Sequence, residues 1–278
     1  MTLCSMNRDE LSDTLYNCID FCEVYGRTPY FYLTGGDPIL HKDFWWLLGQ
    51  FQKNNIPFTV MGNPFHITDD VAKRLKEYGC EKYQMSLDGL RKTHDWFRKP
   101  GSFDLTLEKV GCFNRAGIKS VIMTTVSKEN MDEVPGIIDE VVKAGVKVYA
   151  FSRYVTTGGE LASDMEPLEY RKLLEICDRK FKEYKENGCT TNFNRKDHLW
   201  TLYQYETGEF VIPEGINENT IYGGCNCGNC HLTILPNGDV YACRRVEGSK
   251  VGNAFDDRLA DLWVTGLEEY RDFDRFEK

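Results

Sequence analysis

Residues 28–38 read TPYFYLTGGDP. A run of aromatic and β-prone residues stops at Gly35-Gly36-Asp37, and Pro38 follows. The run predicts a strand over 28–34. Two glycines at the end of a strand let another group approach the backbone closely. Helical patterns flank this stretch. Leu11, Leu15, Ile19 and Cys22 recur at helical spacing between Asp9 and Tyr25, and Trp45, Trp46, Leu48 and Phe51 run along 43–54. The alternation then continues. PFTVM (57–61) predicts a strand, and a helix follows from its cap Thr68 to Tyr78, stopped by Gly79. KYQMS (82–86), KSVIMTTV (119–126) and VKVYAFSRY (146–154) predict strands, separated by helices over 103–116 and 134–144.

Strands that alternate with helices at this spacing form right-handed βαβ units and a parallel sheet. The fold class is therefore α/β, an open sheet or part of a barrel. The chain begins on a helix, with no strand before it. In parallel sheets ligands bind at the C-terminal ends of the strands, and this rule selects the candidates. Asp37 is an acceptor for an ammonium or hydroxyl group. Ser86, in MSLDG (85–89), brings a hydroxyl to the same end. Arg153, in FSRYVTTGG (151–159), suits a carboxylate by bidentate pairing. Each has a plainer alternative: a tight βα turn with a capping Asp, an ordinary Asp-Gly turn, and a surface salt bridge.

Composition bounds the rest. The 278 residues are 41% hydrophobic and 28% charged, as in a folded globular protein. The net charge of −9 argues against non-specific nucleic-acid binding, which needs excess Lys and Arg. MTLCSMNRDEL has no apolar signal-peptide core, and no run approaches the roughly 18 apolar residues of a membrane span. These features predict a cytoplasmic protein with no membrane or nucleic-acid partner.

After Gly158-Gly159 the character changes. Residues 166–187 predict one long charged helix, residues 189–222 are polar and irregular, and a last helix is expected over about 257–271. Between them lies GGCNCGNCHLTILPNGDVYAC (223–243), with Pro236-Asn237-Gly238-Asp239 as a hairpin turn. Of eleven cysteines, Cys225, Cys227, Cys230 and Cys243 cluster here. In a reducing compartment such a cluster reads first as a metal site. Its thiolates suit an iron–sulfur cluster, and a zinc knuckle built from the same four remains open.

Taken together, LTGGDP, SLDG and SRYVTTGG resemble, in order and spacing, the radical S-adenosylmethionine (SAM) enzymes over residues 9–160. The resemblance implies that Gly35, Gly36 and Asp37, with Asp in place of the usual Glu, bind the SAM amino group. It implies that Ser86 and Arg153 serve the ribose and carboxylate. Cys225, Gly228, Leu232, Ile234, Gly238, Val240 and Cys243 fall on the pattern that opens a SPASM or twitch domain, which binds auxiliary [4Fe–4S] clusters. VGNAFDDRLADLW (251–263) resembles the segment that follows it. Cys225 and Cys243 are then the implied ligands, with Cys227 and Cys230 additional to the pattern.

The implied architecture is a partial (β/α)6 radical SAM barrel over 1–160, a connecting segment over 161–222, and a partial SPASM domain over 223–278. The family's C-x-x-x-C-x-x-C is not in this sequence. Its absence with that of the first strand, and the absence of the C-x-x-C-x5-C with which a SPASM domain continues after the last helix, lead to the expectation of a fragment cut at both ends and inactive by itself. The implied activity of the intact protein is hydrogen abstraction by a 5′-deoxyadenosyl radical during modification of a peptide or protein, for example thioether formation in a ribosomal peptide. SAM and [4Fe–4S] clusters are the implied cofactors, and flavodoxin or ferredoxin the implied reductant. A non-catalytic zinc or iron–sulfur module with an α/β ligand cleft is the alternative.

Overall fold

The strand KSVIMTTV has no polar face, and the reason is its place in the sheet. In a computed structural model that describes residues 5–155, 165–212, 214–215 and 227–271, six of its eight residues are buried. A strand covered on both faces reads as a continuous apolar run rather than an alternating one. The described elements, in chain order, are α1 (Arg8–Val24), β1 (Phe31–Leu33), α2 (Phe44–Lys53), β2 (Phe58–Met61), α3 (Asp69–Glu77), β3 (Cys80–Ser86), α4 (Arg91–Phe97), α5 (Ser102–Ala116), β4 (Lys119–Val126), α6 (Val134–Lys143), β5 (Val148–Arg153), α7 (Pro167–Glu186), β6 (Asn192–Asn194), α8 (Leu199–Glu206), β7 (Thr233–Ile234), β8 (Asp239–Tyr241), β9 (Lys250–Asn253), α9 (Leu259–Thr265) and α10 (Glu268–Arg271).

The chain divides into two compact units. Residues 31–41 and 57–223 form the first. Its sheet is six-stranded in the order β1 to β6, and every neighbouring pair is parallel. This is the sheet expected of a partial (β/α)6 barrel. The register pairs Leu33 with Val60, Met61 with Gln84, Ser86 with Met123 and Val126 with Arg153. The loops after these strands therefore leave from one edge. Helix α3 starts where Thr68 accepts the Val71 amide at 3.2 Å, and α5 stops at Gly117, whose φ of +74° suits glycine. Tyr83 of β3 stacks on Phe113 of α5 at 4.3 Å between centroids.

Residues 1–30, 42–56 and 224–278 form the second unit. Its described residues hold the antiparallel sheet β7-β8-β9. Helices α1 and α9 pack together although some 240 residues separate them. The Asn17 side chain donates to the carbonyls of Ala254 (3.0 Å) and Asp257 (2.8 Å) and accepts the Leu259 amide (2.9 Å). Arg258 grips Asp20 through two hydrogen bonds, and Phe21 lies 5.2 Å from the Trp263 ring. The hairpin turn requires glycine at 238. Its φ is +83°, and a Cβ there would sit 2.3 Å from Asn253 Oδ1.

Several elements differ from expectation. Strand β1 is shorter than 28–34. Residues 189–222 are not wholly irregular: they include β6, which is only Asn-Phe-Asn, and α8. Helix α4 was not visible in the hydrophobic pattern, because among its residues only His94 is buried. The expected last helix is two pieces, α9 and α10. The domain break near Gly158-Gly159 lies outside the described residues. No described helix is long and apolar enough to cross a membrane.

The turn after Ser86 is held by Asp88. Its carboxylate accepts Arg98 Nε (2.8 Å) and Nη2 (2.5 Å) and the Thr125 amide (2.9 Å). Its own amide donates to His94 Nδ1 at 3.0 Å. Burial pushes the His94 pKa down, which suits an imidazole that accepts at Nδ1 while neutral. Asp88→Ala is expected to lower stability by about 2–3 kcal/mol, by leaving a buried amide unmatched and the guanidinium without its acceptor. Urea unfolding followed by circular dichroism measures the difference, and a change below about 0.5 kcal/mol is inconsistent with this role.

Candidate cofactor and iron–sulfur sites

Gly35-Gly36-Asp37 leaves the end of β1 as a short loop before a single 3-10 turn, Pro38–Leu40. Gly35 has φ +108°, and a Cβ built on either glycine meets nothing within 4 Å. The backbone there is open to an approaching group. Behind it, both carboxylate oxygens of Asp37 are buried and have no hydrogen-bond partner of good geometry among the described residues, although the backbone of Asn63 and Ile39 lies close enough to act on the carboxylate. Such a group costs roughly 1–3 kcal/mol to leave unmatched, and it lies at a strand's C-terminal end, where parallel sheets take their ligands. Burial holds the Asp37 pKa above the usual carboxylate range, and the backbone of Asn63, the His66 ring and the backbone of Ile39 only partly offset it.

Gly62, after β2, makes room for this carboxylate. A Cβ at 62 would lie 2.9 Å from Asp37 Oδ1 and 2.3 Å from the Tyr83 hydroxyl. That hydroxyl donates to the Asn63 carbonyl at 3.1 Å. Nothing in the sequence pattern singled out Gly62 or Tyr83, because their role depends on the pairing of β2 with β3.

Ser86 ends β3 half-buried, and its hydroxyl makes no hydrogen bond among the described residues. Arg153 ends β5. Its Nε donates to Asp197 Oδ2 (3.0 Å), its amide donates to the same oxygen (2.9 Å), and so does the Tyr170 hydroxyl (3.1 Å). Burial alone would raise the Asp197 pKa. Arg153 and the Leu199 amide outweigh it and hold the carboxyl below its ordinary range. The salt-bridge alternative for Arg153 is thus realised in part, with a buried rather than a surface acid, and Nε is committed to it. The Asp88 and Gly89 part of SLDG is likewise a structural turn.

Of the four clustered cysteines, Cys225 lies outside the described residues. Cys227 and Cys230 bracket a tight turn in which the Gly228 amide donates to the His231 carbonyl at 3.1 Å. Cys230 is exposed and Cys243 half-buried, and neither is in a disulfide. A Cβ at Gly228 would come 3.9 Å from that of Ala242, so this turn abuts the chain at Cys243. Ser249 fixes that chain: its hydroxyl accepts the Cys243 amide at 3.1 Å and lies 2.7 Å from the Val246 carbonyl. The donor set is thiol-only, which suits an iron–sulfur cluster. Among the described residues no three His, Cys, Asp or Glu side chains are assembled to hold a metal ion.

Residues 12–141 match the sequence profile of the Radical SAM superfamily. A radical SAM domain is present in the chain. Residues 225–278 match SPASM, described as an iron–sulfur cluster-binding domain. The cofactors of these two domains are SAM and [4Fe–4S] clusters, and members of the superfamily are enzymes. The chain is 31% identical over 246 residues to the mycofactocin maturase MftC of Mycobacterium tuberculosis, covering 86% of this chain and 59% of that protein. It is 28% identical over 258 residues to an AdoMet-dependent heme synthase of Methanosarcina barkeri, covering 91% of this chain and 72% of that protein. Streptococcus suis SuiB bound to its precursor peptide SuiA shares the fold, with a TM-score of 0.71 at 20% identity over 98% of this chain and 64% of that one.

An unmatched buried carboxylate also has a stability signature. The folded state holds the Asp37 proton more tightly than the unfolded chain. Asp37 therefore makes stability fall as pH rises from the ordinary Asp pKa through the raised one. Asp37→Asn is expected to gain about 1 kcal/mol at pH 7 and to lose that advantage below about pH 4. Thermal unfolding at the two pH values checks this, and a destabilised variant at pH 7 contradicts it.

Proposed function

We propose that this protein acts as a radical SAM/SPASM enzyme on a peptide or protein substrate, with thioether formation in a ribosomally made peptide as the leading reaction. The observation that carries the reading is the Asp37 carboxylate, buried and unmatched beside two open glycines. It fits an ammonium group, and SAM has one. On this reading Asp37 holds the amino group, Gly35 and Gly36 admit it to the backbone, Ser86 meets the ribose, and the Arg153 nitrogens not used on Asp197 meet the carboxylate. Cys225 and Cys243, with Cys227 and Cys230 beside them, hold an auxiliary iron–sulfur cluster.

Bound SAM supplies a hydrogen-abstracting radical on one-electron reduction, and the auxiliary cluster supplies an electron acceptor or a substrate anchor. The residues of this chain orient the cofactor. A reductant such as flavodoxin or ferredoxin delivers the electron.

The peptide assignment draws support from the maturase named among the relatives and from the SuiB complex with SuiA. The heme synthase supports a second reading in which the substrate is a tetrapyrrole. Binding of a cysteine-containing precursor peptide against binding of a porphyrin separates the two.

Equilibrium dialysis with SAM tests the site. Asp37→Asn is expected to weaken binding at least tenfold, because a charge-assisted hydrogen bond contributes about 1.5–3 kcal/mol. Affinity unchanged by the substitution overturns the assignment. After anaerobic reconstitution the 278-residue chain is expected to contain iron and sulfide but to make no 5′-deoxyadenosine with dithionite, since it has no C-x-x-x-C-x-x-C. Stoichiometric zinc without iron would favour the non-catalytic module instead.

A further inference from the structure

The Cys227–Cys230 turn is backed by Arg271, at the end of α10. Arg271 Nε donates to the Gly228 carbonyl at 2.9 Å, and Nη1 donates to the Trp263 carbonyl at 2.7 Å. The guanidinium carbon lies 4.2 Å from the centroid of the Trp263 ring. Nη2 is buried and has no hydrogen-bond partner among the described residues. None of the ion pairs formed among the described residues involves Arg271.

The guanidinium is planar and rigid, with its five N–H bonds in a fixed fork. The Nε–H bond and one Nη2–H bond lie parallel on the same edge. That edge faces Gly228, between Cys227 and Cys230. The turn cannot swing away, because Gly228 is packed 3.4 Å from the Tyr270 Cβ and 3.7 Å from Leu267 by a built Cβ, and its amide is tied to His231. A buried cationic donor without an acceptor is costly, more so than a neutral one. An anionic acceptor on this turn would satisfy it best, because hydrogen bonds between two charged partners are the stronger ones. The polar atoms the turn offers besides its backbone are the two cysteine sulfurs and the Asn229 side chain. A thiolate, or a sulfide bridging iron atoms held by thiolates, has the required charge.

We infer that Arg271 is a positioning residue of the hairpin's iron–sulfur site, with Nη2 donating a hydrogen bond to a sulfur held by the Cys227–Cys230 turn. This rests on the reading of the hairpin as a cluster site. It also gives Cys227 and Cys230, which the SPASM pattern does not require, a part in that site. Hydrogen bonds to sulfur and a nearby positive charge favour the reduced, more negative cluster and so raise its potential.

The test is a redox titration of the reconstituted chain followed by electron paramagnetic resonance, with iron and sulfide assayed on the same samples. Arg271→Met is expected to lower the reduced-to-oxidised ratio at a fixed potential at least tenfold, about 59 mV for a one-electron couple. Arg271→Lys, which keeps the charge without the fork, is expected to fall between Met and wild type. An unchanged potential in a variant that loads iron fully overturns the inference. Loss of iron from both variants with unchanged urea midpoints supports it, whereas loss of iron with lowered midpoints marks Arg271 as structural only and overturns it. Wild-type chain that takes up no iron overturns the cluster reading, and this inference with it.

Discussion

The parallel ladder of β1 to β6 is the constraint on which the first unit depends. Hydrogen bonds between parallel strands fix one register, and that register brings Leu33, Met61, Ser86 and Val126 to a common edge. That edge carries Asp37 and Gly62 in its loops and Ser86 and Arg153 at the ends of their strands. A slip of one residue would turn Ser86 and Arg153 to the opposite faces of their strands. The central strands resist a slip because β4 is buried along most of its length.

Polar groups in this unit divide by whether they are satisfied. Asp88 and Asp197 are buried, and each accepts bonds from an arginine and from backbone amides. They stabilise the loops after β3 and β5. Asp37 has neither an arginine nor a well-aligned backbone amide as a partner among the described residues. Three aspartates at comparable places in the fold thus do two kinds of work. Two hold the loops still, and the third keeps an unfilled bonding capacity next to open backbone.

The second unit applies the same contrast at the cysteine hairpin. Ser249 and Asn253 satisfy the backbone of the hairpin completely enough to fix its turns. Arg271 satisfies two carbonyls and retains one buried nitrogen. In both units the unmatched atom is held in place by neighbours that are themselves matched, which is what preorganisation of a site requires.

The sequence by itself determined the α/β class, the strands β1 to β5, the Asp37 loop, the hairpin turn at Gly238 and the radical SAM and SPASM motifs, because each is written in local periodicity, turn chemistry or motif spacing. It pointed to Asp37, Ser86 and Arg153 through their position at strand ends. It did not reveal β6, whose Asn-Phe-Asn is recognisable as a strand only when paired with β5. Nor did it reveal Gly62, Tyr83 and Asp197, which matter through neighbours 20 to 44 residues away. The packing of α1 on α9 and the placement of Arg271 under Gly228 were likewise decided only in the tertiary structure. Periodicity records which way one segment faces. Which distant segment satisfies a buried polar atom depends on the closed geometry of the fold, and no local pattern encodes it.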